Sequence, residues 1–233
     1  MARKIVPEVK KLWEINEVWD VLNEEEKAYV DKNSHVLTFK KNEIIQREGD
    51  TPENLMMIVS GKVRVYKEGV SNRSQIIRML KPGDFFGYRA MIADERYNTS
   101  VSAFEPSVVY FVRRDCFVNL LQQNNRLCYL FMVLMAKDLG ESDTRSVNLT
   151  QKHIRGRLAE ALISLKENYG LDEDEATLSM YMSREDLANL SNMTTSNAIR
   201  TLSNFADEGV ISIDGRKIKI LDEQMLIRIS RLG

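Results

Sequence analysis

Between His35 and Val112 apolar residues recur in short β-branched and aromatic runs, HVLTF, EIIQ, LMMIV, KVRVY, QIIRML, TSVSAF and SVVYFV. The turn signals EGD, SG, KEG and KPGD separate them. Many short strands at this spacing predict a β-barrel or β-sandwich. Residues 8–33, ahead of it, read as short amphipathic helices, with Asn23 as an N-cap and Glu26 as its capping-box partner. After Arg114 the period becomes helical. Phe131, Met135, Asp138 or Leu139, Ser142, Ser146 and Leu149 fall at spacings of three or four, on one stripe of a helix over about 125–150. Such a helix is roughly 37 Å long at ~1.5 Å per residue, too long for one small barrel to cover. A symmetry mate along this stripe is the economical way to bury it. Phe131, Met135, Leu139, Ser142, Ser146 and Leu149 are therefore the expected dimer contacts, and packing against the chain's own barrel is the alternative.

A second helical pattern, IRGRLAEALISLKENYG, ends at Gly170 and leads into an acidic loop, LDEDEA. The domain boundary is expected near 150–153, giving a barrel over 1–124, a long helix over 125–150 and a C-terminal domain over 151–233. In MSREDLANLSNMTTSNAIRTLSNF, residues 182–205, Ser183 caps a short helix with Asp186 three residues on. Asn192 suits the left-handed residue of a sharp inter-helix turn, and Thr194 caps a second helix. The expected apolar face of that helix is Ala198, Ile199, Leu202 and Phe205; the other offers Thr195, Ser196, Asn197 and Arg200. Hydroxyls, an amide and one long cation suit base edges and phosphates in a major groove. Val210, Ile211 and Ile213, a two-residue turn at Asp214-Gly215, then Ile218 and Ile220 predict a hairpin carrying Arg216, Lys217 and Lys219 beside a phosphate backbone. Helix, turn, helix and hairpin together make a winged helix-turn-helix, in which Ser183, Thr194, Thr195, Ser196, Asn197, Arg200, Arg216 and Lys217 are the candidate DNA contacts.

Composition adds little about partners. The chain has 233 residues and a net charge of -1, so any nucleic-acid patch must be local. No apolar run reaches the ~18 residues of a membrane span, and the N-terminal stretch does not read as a secretion signal. A soluble cytoplasmic protein without a membrane partner is expected. Cys116 and Cys128 sit inside apolar helical patterns and read as packing thiols. A metal-dependent barrel enzyme needs clustered histidines and carboxylates, and the barrel holds only His35, so neither a metal site nor an enzyme is expected.

The order of parts resembles the cyclic-AMP receptor protein and fumarate-nitrate regulator (CRP/FNR) family of bacterial transcription factors over nearly the whole chain. The resemblance rests on I-x-x-E-G-D at Ile45–Asp50, S-G-K-V-R-V-Y at Ser60–Tyr66, L-K-P-G-D-F-F-G at Leu80–Gly87 and the apolar pair Val210-Ile211. It implies an α+β fold with an N-terminal double-stranded β-helix (jelly-roll) barrel, a long dimerisation helix and a C-terminal winged helix-turn-helix. It further implies a homodimer, a hinge near Gln151–His153, a palindromic double-stranded operator, and RNA polymerase as a further partner. The family's reading helix commonly carries an Arg-Glu pair and a later Arg; those places hold Thr195, Ser196 and Arg200. The implied effector pocket departs from the cyclic-AMP pattern. The family's F-G-E reads Phe86, Gly87, Tyr88, and its R-S-A or R-T-A reads Tyr97, Asn98, Thr99, with Arg89 and Arg96 nearby. An effector other than cyclic AMP is expected, lined by Gly87, Tyr88, Arg89, Arg96, Tyr97, Asn98 and Thr99 near Ser142 and Asp143. The cofactor is open: the cysteines of iron-sulfur members are missing, and His35 and His153 have no support as haem ligands. A sensing module that acts through protein contacts instead of DNA is the alternative function.

Overall fold

The computed structural model describes residues 10–69 and 74–232. Positions 8 and 9 of the expected N-terminal helices lie outside the described residues. The chain divides into two compact units, Met1–Lys67 with Ile77–Gly140, and Glu68–Ile76 with Glu141–Gly233.

The first unit opens with α1 (Leu12–Ile15), a 3₁₀ turn over Glu17–Val21 and α2 (Glu24–Lys32). Asn23 and Glu26 form the expected capping box, each side chain accepting the other's backbone N–H. The barrel strands follow: β1 (Ser34–Phe39), β2 (Ile44–Gln46), β3 (Asn54–Ser60), β4 (Val63–Glu68), β5 (Ser74–Leu80), β6 (Phe85–Phe86), β7 (Ser100–Ala103) and β8 (Ser107–Arg113). They form two four-stranded sheets, in the orders β1-β8-β3-β6 and β2-β7-β4-β5. First and last strands pair antiparallel, Ser34 with Val112 through Phe39 with Ser107. Sequence-distant neighbours in both sheets are the mark of a double-stranded β-helix. Gly61, at φ 80°, turns β3 into β4, and a Cβ there would collide with the Pro106 carbonyl oxygen. The Asp84 carboxylate accepts the Lys81 N–H at 2.9 Å in the KPGD turn, and burial pushes its acid above the usual carboxylate range. A short helix that the strand pattern did not predict, α3 (Tyr88–Ile92), follows β6.

α4 (Arg114–Gln123) and α5 (Asn125–Gln151) close the barrel, and the observed span of α5 matches the expected one within a residue. Its packing is different from expectation. Phe131, expected in a dimer interface, is 1% exposed inside its own unit. Its ring centroid lies 4.8 Å from Phe117, 5.4 Å from Phe85 and 5.7 Å from Tyr88, each edge-on. Leu127 is also buried there, and Leu134 and Met135 pack partly against the same cluster. Leu139 keeps its outward place at 63% exposed, with Tyr129, Met132 and Val147 also exposed. Two stripes of α5 are thus apolar, and the expected dimer stripe mixed residues of both. Cys116 is buried, and that burial pushes its thiol up to about 11; Cys128 is half-buried.

In the second unit α5 breaks at Lys152, and His153, at φ -65° and ψ 163°, caps α6 (Ile154–Tyr169), which Gly170 ends. Then come α7 (Arg184–Leu190), α8 (Thr195–Asp207), β9 (Ile211–Asp214), β10 (Lys217–Ile220) and α9 (Glu223–Leu232). Leu158, Leu162, Leu187, Leu202, Phe205 and Leu226 make its core. The acidic loop has more structure than its composition suggested. The Leu178 N–H donates to Ile218 and the Ile220 N–H donates to Ala176, both at 2.9 Å, so residues 176–178 flank β10 as a third extended segment. Asp174 starts that segment by accepting from the Thr177 and Ala176 N–H groups, the Thr177 hydroxyl and Lys219, which hold its acid far below the usual range.

Candidate nucleic-acid interface

The helix pair at 183–207 forms for local reasons. The Ser183 hydroxyl accepts the Asp186 N–H at 3.0 Å, and the Asp186 carboxylate in turn takes the Ser183 N–H at 3.3 Å. Leu187 and Ala188 point inward. Asn192 takes φ 49°, the left-handed turn residue expected. Thr194 then caps α8 by accepting the Asn197 N–H at 3.2 Å. Ala198, Thr201, Leu202 and Phe205 are its buried face.

This face corrects one residue. Ile199, expected in the core, is 48% exposed, while Thr201 takes the inner place. Ala198, Thr201, Leu202 and Phe205 keep the one, four, five, eight spacing of a single helical stripe, and Ile199 stands ~100° round from Ala198. Thr195, Ser196 and Arg200 are exposed, and Asn197 is half-buried. The Arg200 guanidinium donates to the Asn197 side-chain oxygen at 3.0 Å, which holds the cation along the first turns of the helix. The positive end of the α8 dipole and its leading N–H groups share that end.

The hairpin also shifts by one residue. Asp214 pairs with Lys217, so the two central turn residues are Gly215 and Arg216, not Asp214 and Gly215. Gly215 takes φ 57°, a left-handed value that glycine adopts without strain. Arg184, in the first turn of α7, donates to the Gly215 carbonyl at 2.8 Å and ties the wing tip to the helix pair. The Lys217 ammonium lies 5.6 Å from the centre of the Tyr181 ring. The tie from Arg184 to the wing tip and the Tyr181 contact were not expected from the sequence, since neither residue belongs to the apolar stripe or the hairpin itself.

The residues expected around an effector are brought together only in part. Gly87 caps α3, and Tyr88 is buried with its hydroxyl donating to Asp138 at 2.5 Å. Burial, then the Asp138 carboxylate, raises its phenol well above the ordinary value. Arg78 donates to the other Asp138 oxygen at 2.5 Å, so the α5 carboxylate meeting this segment is Asp138. Tyr97 is buried, its phenol pushed up to about 12 by burial. Tyr88 and Tyr97 are thus largely core side chains. Arg89 pairs with Glu95 at 2.9 Å, and Arg96 donates to the Gly49 carbonyl at 2.8 Å. Asn98 is exposed and Thr99 half-exposed; Ser142 and Asp143 are exposed on α5. Gln46 was missed in the sequence. It is buried, its side-chain nitrogen donates to the Thr99 carbonyl at 3.0 Å, and its oxygen has no partner among the described residues. A glutamine in a strand carries no sequence signal for this. His35 stacks on Phe111 at 5.2 Å, and burial lowers its pKa.

Residues 36–124 match the cyclic nucleotide-binding domain family, and residues 156–229 match the Crp-like helix-turn-helix domain. The CRP-like cAMP-activated global transcriptional regulator of Mycobacterium tuberculosis is 22% identical over 205 residues, 88% of this chain and 92% of that protein. Among solved structures, FixK2 from Bradyrhizobium japonicum superposes with a TM-score of 0.76 at 22% identity, over 84% of this chain and 96% of that one. The c-di-GMP responsive global regulator CLP of Xanthomonas campestris gives 0.74 at 18% identity, over 85% and 99%. A barrel of this topology joined by one long helix to a winged reading unit defines a DNA-binding transcription regulator. The chain belongs to the CRP/FNR family, whose members are regulators and not enzymes. Among the described residues no helix is long and apolar enough to cross a membrane.

Proposed function

We propose that the protein is a homodimeric, sequence-specific regulator that lays α8 in successive major grooves of a palindromic operator. The observation that carries this reading is the exposed leading face of α8, with Arg200 on it and the wing tip tied beside it through Arg184. Thr194, Thr195, Ser196 and Asn197 supply groove and phosphate hydrogen bonds, and Arg216 and Lys217 lie along the backbone. Ser183 acts through its cap, which fixes the start of α7. Arg200→Ala loses about 1–3 kcal/mol of discrimination at one guanine per half-site while leaving non-specific affinity nearly intact. Selection from randomised duplexes with both proteins checks it; an unchanged consensus removes Arg200 from the reading role.

The dimer uses the outward seam of α5. Tyr129, Ala136, Asp143 and Thr150 are spaced by seven, as are Met132, Leu139 and Ser146, and all are exposed. That is the seven-residue repeat of a two-stranded coiled coil, with Asp143 as a polar position that fixes register. Leu139 and Ser146 remain from the expected stripe; Met135, Ser142 and Leu149 flank the seam. Leu139→Glu buries a carboxylate in each helix and raises the dimer Kd by roughly 100-fold or more, read by sedimentation equilibrium. The helix break at Lys152–His153 is the hinge between a barrel over 1–124 with its helix over 125–150 and the reading domain over 151–233.

The effector is a small molecule other than cyclic AMP. Where the family's cyclic-AMP binders place a carboxylate for the ribose, this chain has Tyr88, whose hydroxyl is already engaged by Asp138. One relative is named as cAMP-activated and one structural neighbour as c-di-GMP responsive, which supports an effector that differs among chains of this fold. RNA polymerase is a partner through the family's role in transcription, and the compartment is the one that holds the DNA.

A further inference from the structure

Two neighbouring positions of α8 are inverted with respect to polarity. Thr201, with a hydroxyl, is buried at 5% exposure, whereas Ile199, with no polar atom, is 48% exposed. Helix propensity does not account for the isoleucine, and its own domain leaves about half of it uncovered. A β-branched side chain lowers helix propensity, and a helix position facing water is filled with less loss by Lys, Glu or Gln. Ile199 also has a defined setting: it precedes Arg200 directly and follows Ser196 by one turn, so it stands on the face that the proposed function gives to the major groove.

A major groove presents few apolar features. Among the four bases only thymine carries one at the groove edge, its C5-methyl group, and apolar side chains recognise it by contact. An isoleucine amid hydroxyl and guanidinium donors has no hydrogen-bonding work to do there. It can only cover a methyl group or repel a polar edge.

We propose that Ile199 is a specificity-determining residue that packs on the thymine C5-methyl of each half-site, beside the guanine taken by Arg200. This rests on α8 being the reading helix. Adjacent residues on a helix project ~100° apart, and base pairs rise ~3.4 Å per step, so the thymine lies within about two base pairs of that guanine. Ile199 supplies discrimination that the Arg-Glu pair of other family members draws from hydrogen bonds, in a helix where those two places hold Thr195 and Ser196. Cytosine at the same position presents an amino group and no methyl, and Ile199 disfavours it by leaving that donor without a partner.

The test uses the full-length protein and a duplex recovered from randomised DNA by selection with it. Each thymine of the recovered half-site is replaced in turn by deoxyuridine, which removes the methyl and preserves every hydrogen-bonding group. At one thymine per half-site the wild-type protein loses roughly threefold to tenfold in affinity, the scale of one buried methyl group. Ile199→Ala binds the thymine and deoxyuridine duplexes alike, and Ile199→Val keeps part of the difference. Wild-type affinity indifferent to deoxyuridine at every thymine overturns the proposal, as does an undiminished difference in Ile199→Ala. Arg200→Ala on the same duplexes separates the two readings. If it alters preference at the guanine while Ile199→Ala changes nothing, α8 still reads the groove and only the role of Ile199 falls. If neither variant alters any preference, both readings fall together.

Discussion

Truncating Phe131 to alanine lowers the stability of the barrel unit by about 3–5 kcal/mol, the range for deleting a fully buried aromatic ring from a packed core. The size follows from the surroundings. Phe131 is 1% exposed and meets Phe117, Phe85, Tyr88 and Trp19 edge-on, so the ring leaves a void bordered by four large side chains. Those neighbours come from β6, α3, α4 and the 3₁₀ turn, elements held in place by their own hydrogen bonds, and they cannot collapse into the gap without moving backbone. Trp19 fluorescence reports from within the same cluster. The expected result is a lower urea midpoint at unchanged slope. The same free-energy loss at every protein concentration separates this role from a dimer contact, since a residue between subunits makes apparent stability depend on concentration. A Phe131→Ala protein that unfolds at the wild-type midpoint when dilute, and differs only when concentrated, returns the residue to the subunit interface.

Periodicity read the existence and length of α5 because twenty-seven residues at helical spacing leave no competing pattern. It did not tell which apolar residues face the barrel. Phe131, Leu134 and Asp138 lie on one side and Tyr129, Met132 and Leu139 on another, and both sides carry apolar residues, so one sequence stripe could be drawn through either. The barrel resolves the choice by shape: a cleft lined by Phe117, Phe85 and Trp19 accepts Phe131, and Arg78 and Tyr88 fix Asp138 one face away from Leu139. The caps at Asn23, Ser183 and Thr194 and the left-handed Asn192 were legible because each is satisfied within three or four residues of itself. The extended segment at 176–178 was not, because its hydrogen bonds go to Ile218 and Ile220, about forty residues on. The one-residue shift at the wing has a similar source. Asp-Gly and Gly-Arg both make two-residue turns, and the register is decided by which side chains of β9 and β10 face the core, Ile211, Ile218 and Ile220 among them. Ile199 was misplaced by hydrophobicity alone, because the inner place on that turn is taken by Thr201, whose spacing from Ala198, Leu202 and Phe205 fits the buried stripe.

Replacing Arg157 is expected to have the second large effect, on the joint between α5 and the reading helix. Its guanidinium donates to the carbonyls of Ser191, Asn192 and Lys152, each at 3.0 Å, and of Leu149 at 3.5 Å. Leu149 is in the last turn of α5, Lys152 follows its end, and Ser191 is the C-cap of α7. Carbonyls at helix ends lack the partners that interior turns supply, and a cation near them also meets the negative end of each dipole. One planar fork therefore satisfies the ends of two helices, and Asn192 keeps its left-handed turn between α7 and α8 against it. Arg157→Met retains the apolar stem and removes every donor; with the site half-buried, so that water reaches some of the freed carbonyls, the loss is about 2–4 kcal/mol. Arg157→Lys recovers little of it, because an ammonium presents no fork that spans carbonyls on two separate segments. Hydrogen exchange checks the assignment: amide protection falls at 149–153 and at 191–194 together, while β9 and β10 stay protected. Operator affinity falls with it, since α8 begins four residues after Ser191. Wild-type protection at both segments in Arg157→Lys would show that packing alone sets the joint and that the fork is dispensable.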